Sequence, residues 1–117
     1  MLISNKTIKD YWIYTILIMS VIVFLPGLQG DFLNWDDTTY ITDNEILNKD
    51  IGITSFLELY EYDSYISLSL FSFQVQKKIF GNNPFYFHLI NILVHLINIL
   101  LVFNLVKELF RDKTMAF

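Results

Sequence analysis

Residues 86–106, YFHLINILVHLINILLVFNLV, contain no formally charged side chain when the histidines are neutral. At about 1.5 Å per residue this stretch spans roughly 31 Å as a helix, close to the ~30 Å hydrocarbon thickness of a bilayer. It is not uniformly apolar. His88, Asn91, His95 and Asn98 recur at spacings of three, four and three. At 100° per residue they fall within an arc of about 80°, a polar stripe on an otherwise Leu/Ile/Val cylinder. Lipid cannot hydrogen-bond imidazole or carboxamide groups, so the stripe calls for protein or a wet cavity beside it. A helix of this kind needs partners.

A second apolar run lies at residues 11–28, YWIYTILIMSVIVFLPGL, with Tyr11, Trp12 and Tyr14 where an interfacial aromatic belt would sit and Pro26-Gly27 at its end. The two runs account for a hydrophobic content of 54% in 117 residues, too high for an ordinary soluble domain. A cleaved signal peptide is the rival reading of the first run, but Leu28-Gln29-Gly30 offers no small-x-small cleavage site. The reading adopted is a retained span. The expected fold is an all-α membrane protein, with two transmembrane helices joined by an extracytoplasmic loop that carries amphipathic juxtamembrane helices. The net charge of −4, with no basic stripe, argues against nucleic acid as a partner. With no cysteine, disulfides and thiolate metal sites are excluded.

Taken in order, residues 1–10 form a polar lead with Lys6 and Lys9. The first span is 11–28, the connecting loop 29–85, the second span 86–106 and the tail 107–117. The loop is rich in Asp and Glu, whereas Lys107, Arg111 and Lys113 follow the second span. By the positive-inside rule both termini are cytoplasmic and the loop lies outside. Lys77 and Lys78 run against this assignment. Within the loop, Ser55 to Glu58 reads as a capping box opening a helix at about 55–62. A second helix is expected at 66–80. Leu68, Phe71, Val75 and Ile79 form one apolar row of it, and Ile66, Leu70, Phe73 and Phe80 another. A helix apolar on two faces and too short to cross a bilayer suits the space between a membrane surface and a protein body. Gly81 to Pro84 is a turn signal leading into the second span.

Asp36 and Asp37 lie about ten residues past Pro26. Adjacent carboxylates near a membrane can supply a general base toward a hydroxyl, bind a divalent metal, or simply be solvated. An all-carboxylate metal site drawn from Asp36, Asp37, Asp43 and Glu45 is one option, though the spacing does not follow the calcium-loop pattern. No cofactor is otherwise implied. His88 and His95 stand two turns apart, about 10 Å, too far to share one ion, so polar packing against a neighbouring helix is the preferred role of the stripe.

The order of features then becomes recognisable. It runs from Phe32-Leu33-Asn34-Trp35-Asp36-Asp37-Thr38-Thr39-Tyr40-Ile41 through Tyr65-Ile66-Ser67-Leu68 and Phe80-Gly81-Asn82-Asn83-Pro84. Phe87-His88-Leu89-Ile90-Asn91 and Val94-His95-Leu96-Ile97-Asn98 complete it. This series resembles the N-terminal part of membrane glycosyltransferases of the C-type superfamily, nearest the tetratricopeptide-containing O-mannosyltransferase-like branch and its bacterial relatives. The resemblance covers residues 32 to 103. It implies a multi-span enzyme that takes sugar from a polyprenyl-phosphate carrier, with Asp36 matching the catalytic base and Asp37 the second acidic residue of the first outer loop. It also implies that helices of that loop lie along the membrane. Ser67 stands where the family has Pro, and the family has many further spans. The expected partners are thus the bilayer, a polyprenyl-phosphate sugar donor and the remaining transmembrane helices of a full enzyme, this chain being a fragment inactive by itself. The expected location is the bacterial inner membrane, as part of a multi-pass protein. Two alternatives stand beside it. One is a small non-catalytic membrane subunit docking through the His/Asn stripe. The other is a piece of a proton-coupled transporter, disfavoured because the first span holds no ionisable relay group.

Overall fold

A computed structural model describes the backbone of residues 5–111 and the side chains of residues 11–109. The two ends of the chain and the side chains of Lys6, Lys9, Arg111 and Lys113, on which the positive-inside argument draws, lie outside the described residues. Four α-helices are present and no strand occurs among the described residues: α1 (Asn5–Phe24), α2 (Ile53–Tyr62), α3 (Ser67–Phe80) and α4 (Pro84–Arg111). Short 3-10 turns cover Leu25–Gln29 and Glu45–Asn48, and a π-helical turn covers Thr38–Thr42. The chain divides into two compact units, one comprising Leu28–His88 and the other Met1–Gly27 with Leu89–Phe117.

In the second of these, α1 and the later turns of α4 are the two membrane-length helices. Apolar stretches run over Tyr11–Gln29 and Pro84–Leu109, and almost none of their side chains is buried inside the protein. Uncovered Leu, Ile and Val on a long helix are stable only against lipid or further apolar protein. The α-helix ends at Phe24 and tightens into a 3-10 turn where Pro26 cannot supply a backbone N–H. Ile13 is buried, and Phe24 meets the ring of His95 edge-on at a centroid distance of 5.1 Å.

The Leu28–His88 unit has a small core. Leu47, Leu59 and Leu70 are fully buried, one each from the Glu45–Asn48 turn, α2 and α3, with Tyr40, Ile46, Ile66, Phe71 and Phe73 packed around them. Phe56 and Phe71 add an edge-to-face pair between α2 and α3. The polar side chain of Gln74 sits within this apolar setting with no exposure at all. Its amide nitrogen donates to the carbonyls of Ile46 (3.1 Å) and Lys49 (3.2 Å), and its amide oxygen accepts from the Ser55 hydroxyl (3.2 Å). One side chain thus ties α3 to the turn before α2 and to the first turn of α2. This satisfies groups that burial would otherwise leave unpaired.

Three details differ from the sequence-based expectations. Helix α2 starts at Ile53, two residues before Ser55, because Ser55 caps from inside the helix: its hydroxyl accepts the Gly52 N–H at 3.1 Å. Glu58 pairs instead with Lys49 at 2.6 Å. In α3 the buried face is not purely apolar. Ser67, Leu70 and Gln74, spaced three and four apart, are buried, as is Gln76, while Leu68 and Ile79 of the other row are exposed. Lys77 and Lys78, which ran against the outside placement of the loop, are both engaged within it. The Lys77 ammonium donates to the Ile41 carbonyl at 2.9 Å, and Lys78 reaches Asp50 at 3.2 Å. Burial holds the Lys77 ammonium below its ordinary pKa, with Asp43 partly offsetting the shift.

The junction with α4 follows from local chemistry. Helix α3 stops at Gly81, whose φ of 67° is open to glycine and strained for other residues, and whose N–H closes on the Lys77 carbonyl at 2.9 Å. The Asn83 side chain then accepts the Phe85 N–H at 3.1 Å, and Pro84 occupies the first helical position, where a missing N–H costs nothing.

Candidate functional site

Asp36 and Asp37 open a helical turn that passes directly into the π-helical segment Thr38–Thr42. Departures of this kind from α-helical hydrogen bonding are frequent at functional sites. The sequence alone leaves the two carboxylates equivalent; their surroundings separate them. Asp37 is half-buried, and its carboxylate accepts the Leu33 N–H at 3.0 Å, closing the loop that precedes it. The same loop is tightened by the Trp35 N–H on the Leu33 carbonyl (2.8 Å) and the Thr38 hydroxyl on the Trp35 carbonyl (2.6 Å). Asp36 is exposed, and among the described residues nothing hydrogen-bonds its carboxylate. One oxygen of Asp37 therefore braces the backbone, while both oxygens of Asp36 face solvent.

Two residues absent from the sequence-level candidates stand near this turn. Tyr40, one helical turn after Asp36, directs its hydroxyl at the Asp63 carboxylate, 3.4 Å away, and its ring meets Tyr62 edge-on. Desolvation pushes the Tyr40 phenol above its ordinary pKa, and the negative charges of Asp63 and Asp36 push it further. At neutral pH it is a donor, not a phenolate. The i, i+4 relation of Asp36 and Tyr40 was readable in the sequence. The approach of Asp63, 23 residues later, was not.

The metal option does not find its ligands. Among the described residues no three His, Asp or Glu side chains come together in a metal-binding group, so Asp36, Asp37, Asp43 and Glu45 do not form one.

The polar stripe of α4 has a mixed environment. Asn91 and His95 line a cleft of about 210 Å³ together with Phe24 and Ile92. Asn98 is exposed. In the Leu28–His88 unit, the Nε2 of His88 is buried and has no hydrogen-bond partner among the described residues.

Two long apolar helices with uncovered sides, in a chain whose described residues form helices and no strand, define an all-α protein that associates with membranes. Within that class, the chain is similar in sequence to part of a protein O-mannosyl-transferase. It is 29% identical over 110 residues to the human protein O-mannosyl-transferase TMTC1 and 27% identical over the same length to its mouse counterpart. Each alignment takes in 84% of this chain but 12% of the relative, so the chain spans about an eighth of the relatives' length. Both relatives are mammalian and lend no support to the bacterial membrane expected from the sequence. No family model and no solved structure matches the chain.

Proposed function

We propose that this chain is the N-terminal portion of a C-type membrane glycosyltransferase that moves a sugar from a polyprenyl-phosphate carrier to a hydroxyl acceptor, with Asp36 as the general base. The observation that supports the assignment is the contrast between the two carboxylates: Asp37 is half-buried and holds the Leu33 N–H with one oxygen, whereas Asp36 is exposed and has no hydrogen bond among the described residues. In the reaction the acceptor oxygen attacks the anomeric carbon. The bond from that carbon to the carrier phosphate oxygen breaks, the phosphate leaves with the electron pair, and Asp36 takes the hydroxyl proton. Tyr40, one helical turn after Asp36, has its single O–H directed at Asp63 and serves to brace this turn against the end of α2. The His88, Asn91, His95 and Asn98 stripe serves to pack α4 against the remaining helices of the enzyme.

The test is sugar transfer from a polyprenyl-phosphate donor by the longer enzyme, with expression and membrane insertion matched. Asp36→Asn should lower the rate about 10²–10⁴-fold, the usual cost of losing a general base. Asp37→Asn should cost far less, because an amide oxygen still accepts the Leu33 N–H. The present chain alone should be inactive, since two spans and one loop cannot enclose donor and acceptor together. Wild-type rates in Asp36→Asn would overturn the assignment.

A further inference from the structure

Leu33 and Trp35 are large apolar side chains left 71% and 82% exposed on either side of Asn34. They do not hang from a loose segment. The three hydrogen bonds that close this turn, from Trp35 N–H to Leu33, from Leu33 N–H to Asp37 and from the Thr38 hydroxyl to Trp35, fix the backbone that projects them. A braced turn that presents Leu and Trp to water gains nothing from doing so.

The position of the turn says what covers it. Phe32, the residue immediately before, packs edge-on against Phe87 with 5.4 Å between ring centroids, and Phe87 is 2% exposed. Phe87 is the fourth residue of the apolar stretch Pro84–Leu109, so Phe32 is pinned at the level where that stretch begins. Trp35 lies three residues further on, within about 11 Å along the chain. The polar boundary zone on each side of a bilayer is roughly 5–8 Å deep. Other aromatics gather at the same level: Phe80 stacks on Tyr86 at 4.3 Å, and Phe85 meets Tyr86 edge-on. The chain enters this end of the unit as well. Leu28 to Asp31 and Asn83 to Phe85 line one pocket of about 290 Å³, so the segments that join both membrane-length stretches lie side by side.

We infer that Leu33 and Trp35 insert into the headgroup–acyl boundary of the lipid bilayer, extending the aromatic belt at the start of α4 and holding Asp36, the next residue, at headgroup depth. Trp is suited to this because its ring is apolar while its N–H remains wet at the boundary. The inference does not depend on the transferase reading, and its test measures no activity.

Trp12 is the other of the two tryptophans, so the full chain carrying Trp12→Phe reports on Trp35 alone. Reconstituted in phosphatidylcholine vesicles, it should emit to the blue of a solvated indole. Lipids brominated high on the acyl chain should quench it strongly, and those brominated near the chain end weakly. Iodide supplied on both faces should quench it less than a water-exposed indole. Full iodide quenching without bromolipid quenching would overturn the proposal, leaving a solvated turn. A blue-shifted emission that bromolipids do not touch would overturn it equally, because protein would then be covering Trp35.

Discussion

At the scale of single residues, the Leu28–His88 unit depends on a polar side chain in an apolar place. Gln74 has the length to reach two carbonyls and the two-sided chemistry to accept from Ser55 while donating to both. Replacing it with Leu would keep the volume but strand the Lys49 carbonyl. The Ile46 carbonyl would still hold the Lys49 N–H, and the Ser55 hydroxyl could turn fully to the Gly52 carbonyl. The expected cost is about 2 kcal/mol, in the range for one buried group left unpaired plus the lost bonds. In hydrogen exchange on the full chain in detergent, that corresponds to roughly thirtyfold faster exchange of α2 and α3 amides. Unchanged exchange would mean that Gln74 fills space and nothing more. In the sequence Gln74 only falls between the two apolar rows of α3. Only the meeting of three backbone segments makes it the centre of the unit.

At the scale of elements, both membrane-length helices follow from composition, whereas the short helices owe their exact bounds to capping. That a helix follows the Gly81 to Pro84 turn was legible, although α4 starts at Pro84 and not at 86, where the Asn83 side chain and a first-turn proline act locally. The start of α2 was not, because Ser55 and Glu58 find their partners in Gly52 and Lys49 instead of each other. The stripe of α4 leads to a prediction at this scale. Changing Asn91 and His95 together to Leu should leave membrane insertion intact or improve it, since both become apolar. It should also weaken association of α4 with partner helices in the longer protein, each lost polar contact being worth about 0.6–2 kcal/mol. Co-purification of separately expressed halves measures this. Undiminished association would make the stripe incidental.

At the scale of the whole molecule, the open question is orientation. Lys77 holds the Ile41 carbonyl and Lys78 pairs with Asp50, but both charges stay in the loop and still count against its outside placement. The Lys and Arg flanks of the two spans outnumber them and predict cytoplasmic termini. A cysteine introduced at Asp43 should react with an impermeant thiol reagent in intact cells, and one introduced at Ala116 should react only after permeabilisation. Labelling at position 116 alone in intact cells would reverse the topology. The sequence by itself determined the all-α membrane class, two long apolar helices and two shorter ones between them. Hydropathy and helical period act over a few residues and are written in order along the chain. The tertiary structure decided which of two adjacent carboxylates braces the backbone, which polar residues the core would accept, and that Phe32 meets Phe87 across 55 positions. Those outcomes depend on hydrogen-bond partners and packing surfaces far apart in the chain, which no local pattern specifies.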